Sequence, residues 1–403
     1  MDLYCQSGIH EYSHYELLTV SALVVIPYTR RRQSRKVEME GKMPKVNAIE
    51  RLIRPAIVSL GGFVSKSPPK HIGDVIKLNS NENPYGCSPR VQQALADYPY
   101  LNIYPDANQR ELRSLLSEYT GVGTEYIVAS NGGDELIDHI LRMFIEPGDE
   151  VVDCVPSFGI FRIRTHICGG TLVEVPRDED FAVNVKAVRA AITKKTKMIV
   201  LVSPGNPTGT LMPQKDILEI ADTALPVLVD EAYFEFSGET VSQFVSQYEN
   251  MMVIRTLSKW AGLAGMRIGY GIFPPEIVTY LMKIKLAFNV NAAAVVAVRE
   301  SLKDLDYLQD NVRKIISERE RLFAELSQLT FLKPYPSQAN FVFCSVLNSD
   351  AVTIREKLED RGIWVGSYSI GQGRNGLRIS VGKPEHTDAL LKALREIGEE
   401  IGD

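Results

Sequence analysis

The sequence has few cysteines and no excess of basic residues, and each shortage excludes a class of protein. Its 5 cysteines are scattered without a C-x-x-C pair, so a zinc ribbon is excluded and a disulfide framework is not expected. Lysine and arginine total 45 against 50 acidic residues, a formal net charge of −5. Proteins that bind nucleic acid by neutralising phosphates usually carry a basic excess, so we expect no nucleic-acid partner. Free thiols are typical of a reducing compartment, and we predict a cytoplasmic location and no metal site.

The N-terminal segment also lacks the features of a membrane anchor or a secretory signal. Its apolar run, residues 17–26, is about half the length of a membrane helix, so no membrane partner is expected. Acidic residues precede this run and the basic cluster at residues 30–36 follows it, the reverse of a signal peptide. We interpret residues 1–42 as a disordered or dispensable extension, with Met43 as a candidate initiator. A targeting segment is the alternative.

The middle of the chain alternates strand-like and helix-like segments. Several of the strand-like segments are almost entirely apolar, as strands covered on both faces must be. This pattern predicts an α/β fold with a doubly wound sheet, and 403 residues suggest a second domain. The predicted strands are residues 126–130, 151–155, 171–175, 198–203, 227–230, 252–256 and 268–273.

The C-terminal part predicts a smaller α+β unit. Residues 299–328 have apolar side chains at intervals of three or four, interrupted by Arg319, and predict one long amphipathic helix. A strand at 340–344, a helix at 351–361, a strand at 377–381 and a closing helix from Glu385 follow.

Polar residues follow four of the predicted strands. Asn206, Asp230 and Lys259 each come at or just after the end of a strand, and the turn from Asn131 to Glu135 follows another. Sheets of this type bind ligands beyond the carboxyl ends of their strands. These residues are therefore expected to share one site.

Together they fit pyridoxal phosphate. Lys259 supplies an amine for a Schiff base with its aldehyde, and Asp230 supplies a carboxylate for its pyridine nitrogen. Asn206 and Tyr233 can donate to the ring oxygen, and Phe158 can stack on the ring. The phosphate needs a helix N-terminus, hydroxyls and a guanidinium, which are offered by Gly133, Asp134, Glu135, Thr256, Ser258 and Arg267.

These motifs, over about residues 50–398, resemble the fold-type I pyridoxal-phosphate aminotransferases, and within them the histidinol-phosphate aminotransferase subfamily. The matching segments are Leu78-Asn79-Ser80-Asn81-Glu82-Asn83-Pro84-Tyr85-Gly86, Tyr104-Pro105-Asp106, the 131–135 turn, Asn206-Pro207-Thr208-Gly209, Asp230-Glu231-Ala232-Tyr233, Thr256-Leu257-Ser258-Lys259 through Arg267, and Leu377-Arg378-Ile379-Ser380-Val381-Gly382.

The resemblance implies a large domain with a mixed, mostly parallel seven-stranded sheet and a smaller α+β domain. It suggests an N-terminal arm on the small domain at 43–76, a large cofactor domain at 77–290 and a small domain at 291–403. It implies that Lys259, Asp230 and Tyr233 are catalytic. It further implies that Tyr104 reaches the phosphate of a neighbouring subunit, which makes the enzyme a homodimer with shared active sites.

The resemblance also indicates the substrates. It implies that Arg378 binds the α-carboxylate of glutamate as a bidentate pair, with Asn206, Tyr85 and Phe63 nearby. The expected reaction converts histidinol phosphate and 2-oxoglutarate to imidazole-acetol phosphate and glutamate, a step of histidine biosynthesis.

Two positions depart from the subfamily pattern. Gly366 stands where an arginine for the substrate phosphate is expected, and Phe63 replaces a tyrosine. Either Arg374 or a shifted loop through residues 369–374 fills the gap, or the donor is not histidinol phosphate. The alternatives are an aminotransferase for aromatic or other amino acids, a decarboxylase of the threonine-phosphate type, and a catalytically inactive binding protein.

Overall fold

The computed structural model describes residues 49–61, 72–371 and 374–402. Residues 1–42, Met43 and Phe63, which figure in the predictions above, lie outside these ranges. The strands are β1 (Ile76–Leu78), β2 (Ile127–Ser130), β3 (Glu150–Val155), β4 (Thr171–Pro176), β5 (Thr196–Val202), β6 (Val227–Asp230), β7 (Met251–Thr256), β8 (Gly269–Ile272), β9 (Leu332–Tyr335), β10 (Phe341–Val346), β11 (Ile363–Ser369) and β12 (Asn375–Ser380).

The α-helices cover both sheets and connect them. They are α1 (Pro55–Val58), α2 (Pro89–Ala96), α3 (Arg110–Thr120), α4 (Gly133–Phe144), α5 (Ile160–Cys168), α6 (Val185–Ala190), α7 (Gln214–Ala221), α8 (Phe234–Ser237), α9 (Pro275–Ile284), α10 (Ala292–Leu302), α11 (Leu305–Leu326), α12 (Ala351–Asp360) and α13 (Pro384–Ile401).

Seven strands form the large sheet in the order β2-β8-β7-β6-β5-β3-β4. All neighbours are parallel except β8, which runs antiparallel to both β2 and β7. Strands β2, β6, β7 and β8 are buried along their whole length, because helices pack on both faces of the sheet. The predicted α/β class, the seven strands and the mostly parallel arrangement are confirmed.

The small sheet has the order β1-β11-β12-β10-β9. Strand β1 is parallel to β11 and pairs Ile76 with Ile363, whereas the other neighbours are antiparallel. The predicted boundary between arm and large domain, between residues 76 and 77, falls inside β1, but this strand belongs to the small sheet. Its three residues are too few to show a periodic pattern, so the sequence does not predict a strand there.

The prediction of a single helix over residues 299–328 is wrong. The helix is interrupted at Lys303 and Asp304, between α10 and α11. The carboxylate of Asp304 accepts a hydrogen bond from the Ser88 hydroxyl at the start of α2. Helix α10 packs on α2 and α3, whereas α11 contacts β9, β10 and α13. Because of this interruption, the apolar side chains of α10 and those of α11 pack on different elements.

Arg319 does not weaken the stripe of α11. Its side chain is buried, donates from Nη1 to the Ala339 carbonyl at 3.1 Å, and pairs with Glu320 at 2.8 Å. A paired arginine can be buried among apolar neighbours, because its donors are satisfied.

Residues 54–59 of the N-terminal arm lie against the large domain, whereas its last residue, Ile76, pairs with Ile363 in the small sheet. Arg54 Nη2 donates to the Ile167 carbonyl at 2.6 Å, and Ser59 Oγ is 2.8 Å from His166 Nε2, both in α5. Among the helices of the described ranges, none combines the length and hydropathy of a membrane span. The described cysteines Cys87, Cys154, Cys168 and Cys344 are free thiols, as predicted.

Candidate active site

The carboxyl ends of β5, β6 and β7 meet at one edge of the large sheet, because these strands are parallel neighbours. Asn206 follows β5, Asp230 ends β6, and Lys259 follows β7. Helix α4 begins at Gly133, immediately after Asn131 and Gly132 leave β2. The structure thus places the four predicted groups on one edge, as the βα pattern indicated.

Lys259 is a half-buried amine with an unusually low pKa. Its Nζ donates to the Ser80 carbonyl at 3.0 Å. Burial, and next the positive charge of Arg378, lower the pKa of Lys259 to about 8. At neutral pH about a tenth of these side chains are therefore uncharged, which is the form that attacks an aldehyde.

Asp230 is buried and accepts the backbone N–H of Ala232 at 3.0 Å. Burial raises the pKa of Asp230 to about 7, although this hydrogen bond and the positive charge of Lys259 both act to lower it. A cationic partner would favour the charged carboxylate, because it offsets the cost of burial.

Arg378, on β12 of the small sheet, reaches across to the large domain. Its Nη1 donates to Asn206 Oδ1 at 2.7 Å, and its Nη2 donates to the Asn79 carbonyl at 2.8 Å. Its Nε is buried and has no hydrogen-bond partner among the described residues. A planar guanidinium with an unused donor at this edge is suited to a carboxylate.

The segment from Asn79 to Asn83 joins the two domains, a role that its place in a sequence motif does not reveal. Asn81 Nδ2 donates to the Tyr233 hydroxyl at 2.9 Å, while the Asn81 backbone N–H donates to Ser380 Oγ, also at 2.9 Å. Asn340 Nδ2 donates to the Asn81 carbonyl at 3.0 Å. The available signal was three asparagines in five residues, one of which, Asn81, has a φ of 54°.

Tyr233 lies in the same cluster, and burial raises its pKa to about 12. The neutral phenol is therefore held at physiological pH and can donate a hydrogen bond.

The N-terminus of α4, Arg267 and the residues after β7 form a compact anion site. Arg267 Nη2 lies 3.4 Å from Asp134 Oδ2, and a Cβ at Gly132 would lie only 2.6 Å from that guanidinium nitrogen. Thr256 Oγ1 donates to Ser258 Oγ at 2.9 Å. Unpaired N–H groups at a helix start and a nearby guanidinium are what a phosphate requires.

Glu135 has a different position from the one expected of a phosphate ligand. Its Oε2 accepts from the Asn131 backbone N–H at 2.7 Å and from Asn289 Nδ2 at 2.8 Å. Its carboxylate thus fixes the turn before α4, and only its backbone N–H remains for an anion.

The aromatic candidates are more dispersed. Phe158 packs edge-to-face on Phe161 at 6.3 Å between ring centroids. The ring of Tyr85 lies 5.4 Å from Lys314 Nζ and 5.9 Å from Lys383 Nζ. Burial raises the pKa of Tyr85.

Tyr104 is 78% exposed, and its ring stacks on Phe288 with 4.6 Å between ring centroids. A stacked tyrosine held this far into solvent has its hydroxyl free to meet another molecule.

A tyrosine, and not a basic side chain, lies over Gly366. This glycine pairs with Arg378 across β11 and β12, and a Cβ built on it would lie 2.8 Å from Tyr368 Cε2. The Tyr368 ring centroid is 4.9 Å from the Arg378 guanidinium carbon. Arg374, by contrast, lies over the ring of Phe181, 5.9 Å from its centroid.

The chain matches the family model of aminotransferases of class I and II over residues 73–394. A histidinol-phosphate aminotransferase of Dehalococcoides mccartyi is 47% identical over 354 residues, which cover 87% of this chain and 99% of that relative. The chain belongs to the class I and II aminotransferases.

Two further comparisons agree with this assignment. A chloroplastic histidinol-phosphate aminotransferase of Nicotiana tabacum is 43% identical over 80% of this chain and 79% of its own. A crystal structure of the Sinorhizobium meliloti histidinol-phosphate aminotransferase in complex with pyridoxal-5'-phosphate aligns with a TM-score of 0.79. It has 27% identity and covers 87% of this chain and 98% of that one.

The aminotransferase is therefore a pyridoxal-phosphate enzyme, and its residues fit the cofactor. Lys259 offers a low-pKa amine, Asp230 a buried carboxyl short of partners, and Arg267 a cation beside a helix N-terminus. The glycines at 132 and 269 keep this site compact, since a Cβ on Gly269 would lie 2.6 Å from the Gly133 nitrogen.

Proposed function

We propose that this aminotransferase exchanges an amino group between histidinol phosphate and 2-oxoglutarate. The 47% identity to a relative of that name, over 99% of its length, carries the proposal. The retained Lys259, Asp230, Asn206, Tyr233, Arg267 and Arg378 support it, because an inactive binding protein has no chemical need for all six.

Pyridoxal phosphate, when bound, supplies an electron-withdrawing ring that stabilises negative charge at the reacting carbon of the substrate. Asp230 would hold the proton on the ring nitrogen, and Asn206 and Tyr233 would donate to the ring oxygen. The N–H groups of Gly133, Asp134 and Glu135, with Thr256, Ser258 and Arg267, would hold the phosphate, and Phe158 would cover the ring.

Lys259 Nζ would take the proton from the substrate Cα as a general base and hold it for return as a general acid. Its pKa of about 8 is suited to both directions of transfer near neutral pH. Arg378 would orient the α-carboxylate, exchanging its present contacts with Asn206 and Asn79 for the substrate. Tyr85 would border the donor side chain.

The enzyme acts as a homodimer in this proposal, with Tyr104 completing the site of the partner subunit. Large apolar side chains are exposed on two neighbouring segments, and the stacked rings of Tyr104 and Phe288 join them. They are Tyr100, Leu101, Ile103, Tyr104, Leu286 and Phe288. An apolar surface of this kind is typical of an interface between copies.

Mixing inactive subunits tests the shared site. A Lys259→Ala subunit keeps its own Tyr104, and a Tyr104→Ala subunit keeps its own lysine. An equal mixture forms one intact site in each mixed dimer, so about a quarter of the wild-type activity should return. If the mixture stays inactive although mixed dimers form, Tyr104 does not act in its partner.

This chain is similar to a bacterial relative and to a chloroplastic relative from a plant. We propose that this protein is located in the cytoplasm. Its partners are then small-molecule substrates and a second copy of itself.

The tyrosine over Gly366 favours a second candidate, an aminotransferase for aromatic amino acids. The ring of Tyr368 beside Arg378 offers an aromatic wall where a phosphate would need a cation.

A panel of donors, followed through the cofactor absorbance in single half-reactions, separates the candidates. Histidinol phosphate should convert the bound cofactor faster than phenylalanine or threonine phosphate. Faster conversion by phenylalanine would establish the second candidate. Release of CO2 without a keto-acid product would identify a decarboxylase instead.

A further inference from the structure

Asn81 is buried between the two domains, and its side-chain amide is held by a residue of each. Its amide oxygen accepts from the Ser380 hydroxyl of the small domain, and its amide nitrogen donates to the Tyr233 hydroxyl of the large domain. It is 1% exposed. Its φ of 54° is in the left-handed region, which asparagine adopts more readily than most residues. Backbone and side chain are therefore both fixed at this position.

The Ser380 hydroxyl determines which way the Asn81 amide faces. Ser380 Oγ accepts the backbone N–H of Asn81 at 2.9 Å, so the serine proton points to another acceptor. In the part of the chain that the structure describes, that acceptor is Asn81 Oδ1, at 2.8 Å. A hydroxyl has one proton to donate, and an amide oxygen can only accept. The amide oxygen of Asn81 therefore faces Ser380, and its NH2 group faces Tyr233.

The direction of the Tyr233 proton follows from this arrangement. Asn81 Nδ2 donates to Tyr233 Oη at 2.9 Å, so the phenol oxygen is the acceptor in this bond and keeps its own proton for another partner. The Tyr233 ring is held edge-to-face against Phe341, with 5.1 Å between centroids. A phenol proton has two positions in the ring plane, and a donor near the oxygen favours the position farther from it. The Tyr233 proton is therefore directed away from Asn81.

We infer that Asn81 is a positioning residue, which directs the Tyr233 hydroxyl proton toward the ring oxygen of bound pyridoxal phosphate. The inference rests on the proposed role of Tyr233 as a donor to that oxygen. Ser380 lies on β12, two residues after Arg378, so the small domain sets the orientation of the amide that acts on Tyr233. The tyrosine of the large domain is thus fully oriented only when the two domains meet.

The absorbance of the bound cofactor measures this hydrogen bond, because it changes when the cofactor loses a proton with rising pH. A donor to the ring oxygen favours the more negative form and lowers the pH midpoint of that change. Tyr233→Phe removes the donor and should raise the midpoint by about one pH unit.

Two substitutions of Asn81 keep the backbone and change the amide. Asn81→Asp has the same shape, and its carboxylate accepts the Tyr233 proton instead of donating to the oxygen. The midpoint should rise by about one pH unit or more. Asn81→Gly adopts a φ of 54° without strain and only removes the donor. The proton is then free to turn, and the midpoint should rise by about half a pH unit.

Each variant is then combined with Tyr233→Phe. If Asn81 acts through the Tyr233 proton, Asn81→Gly should cause no further shift in this background. Asn81→Asp should keep only the direct effect of its charge, and its shift should be smaller by at least about half a pH unit than with Tyr233 present.

Asn83→Asp is the matched control, because it makes the same change at another buried amide of this segment. The Asn83 side chain donates to the Trp260 carbonyl and accepts the Tyr85 N–H, and it has no printed-range contact with Tyr233 within hydrogen-bond distance in residues 72–371. Its effect on the midpoint should be the same with and without Tyr233→Phe.

Equal shifts with and without Tyr233→Phe, for both substitutions of Asn81, would overturn the inference. An unchanged midpoint in Tyr233→Phe alone would overturn the proposed role of Tyr233 and the inference with it, while the donor panel still tests the reaction separately. Circular dichroism shows whether each variant folds. If Asn81→Asp does not fold, Asn81→Gly decides the question, because glycine accepts the left-handed backbone.

Discussion

Asp230 and Glu231 are consecutive buried acids with different surroundings. Glu231 accepts from Arg255 Nε at 3.0 Å and Nη2 at 2.8 Å, and from the Val241 backbone N–H at 2.7 Å. Asp230 accepts from the Ala232 backbone N–H, and burial raises its pKa to about 7. An acid with every lone pair engaged holds the fold together, whereas an acid left short of partners can respond to an arriving cation.

The same contrast separates the two cations at the end of β7. Arg255 Nη2 donates to Glu231, to Thr240 Oγ1 at 2.6 Å and to Ser242 Oγ at 3.0 Å. Lys259 Nζ has a single carbonyl acceptor among the described residues. The paired set, Arg255 and Glu231, should determine stability, and the underpaired set, Lys259 and Asp230, should determine chemistry.

The largest effect is expected from Lys259→Ala. Transamination should fall by about 10⁴-fold or more, because the variant loses both the attacking amine and the proton carrier. Borohydride should no longer fix the cofactor to the protein, whereas the exposed Lys197→Ala should behave as wild type. If borohydride still attached the cofactor covalently to Lys259→Ala, another lysine would be the one that binds the cofactor aldehyde.

Glu231→Gln should lower the free energy of unfolding by about 3–5 kcal/mol, because it leaves the buried Arg255 without a counterion. Urea denaturation of the cofactor-free protein measures this change. A loss below about 1 kcal/mol would remove the distinction between the paired and underpaired sets.

Asp230→Asn is the matched substitution at the neighbouring residue. Turnover should fall by about 10²–10³-fold, because a neutral amide stabilises a protonated ring nitrogen poorly. The free energy of unfolding should change by less than about 1 kcal/mol, since no ion pair is broken. A destabilisation equal to that of Glu231→Gln would show that both acids are structural.

Arg378→Lys should lower kcat/KM for both the amino donor and 2-oxoglutarate by about 10- to 100-fold. Lysine keeps the charge but not the planar pair of donors. Cofactor absorbance should stay unchanged, and a shifted absorbance would place Arg378 in cofactor binding instead.

The smallest effect concerns pH. Because the folded protein lowers the pKa of Lys259 to about 8, its neutral fraction rises from about a tenth at pH 7 to about nine-tenths at pH 9. Covalent capture of pyridoxal phosphate by the cofactor-free enzyme should accelerate about tenfold over that range. Stopped-flow absorbance would measure it, and a midpoint near 10 would indicate an exposed amine.

The sequence predicted the large sheet well because its strands are covered on both faces and read as short apolar runs. It predicted the shared edge from the alternation of strands and helices and from the polar residues at 206, 230 and 259. It did not predict the break at Lys303 and Asp304, because the apolar periodicity continues across it and the partner of Asp304, Ser88, lies more than 200 residues away in the sequence.

The hydrogen bonds of Asn81 and Ser80 were not predictable either, because their partners are also distant in the sequence. They depend on how the two domains meet, and no local pattern encodes that geometry. The same holds for the ring of Tyr368 over Gly366, because the sequence shows at that position only that the expected arginine is missing.

The position of β1 in the small sheet has a consequence for synthesis. Its partner β11 lies about 290 residues later in the chain, so this parallel pair has a very high contact order. At translation rates of 5–20 residues per second, β1 waits on the order of 15–60 s before its neighbour leaves the ribosome. The segment from Asn79 to Asn83, which carries the acceptor for Lys259, follows β1 directly and can take its final place only then. The nascent large domain can therefore fold before its active site is complete, and the last strands of the small sheet to be translated finish the enzyme.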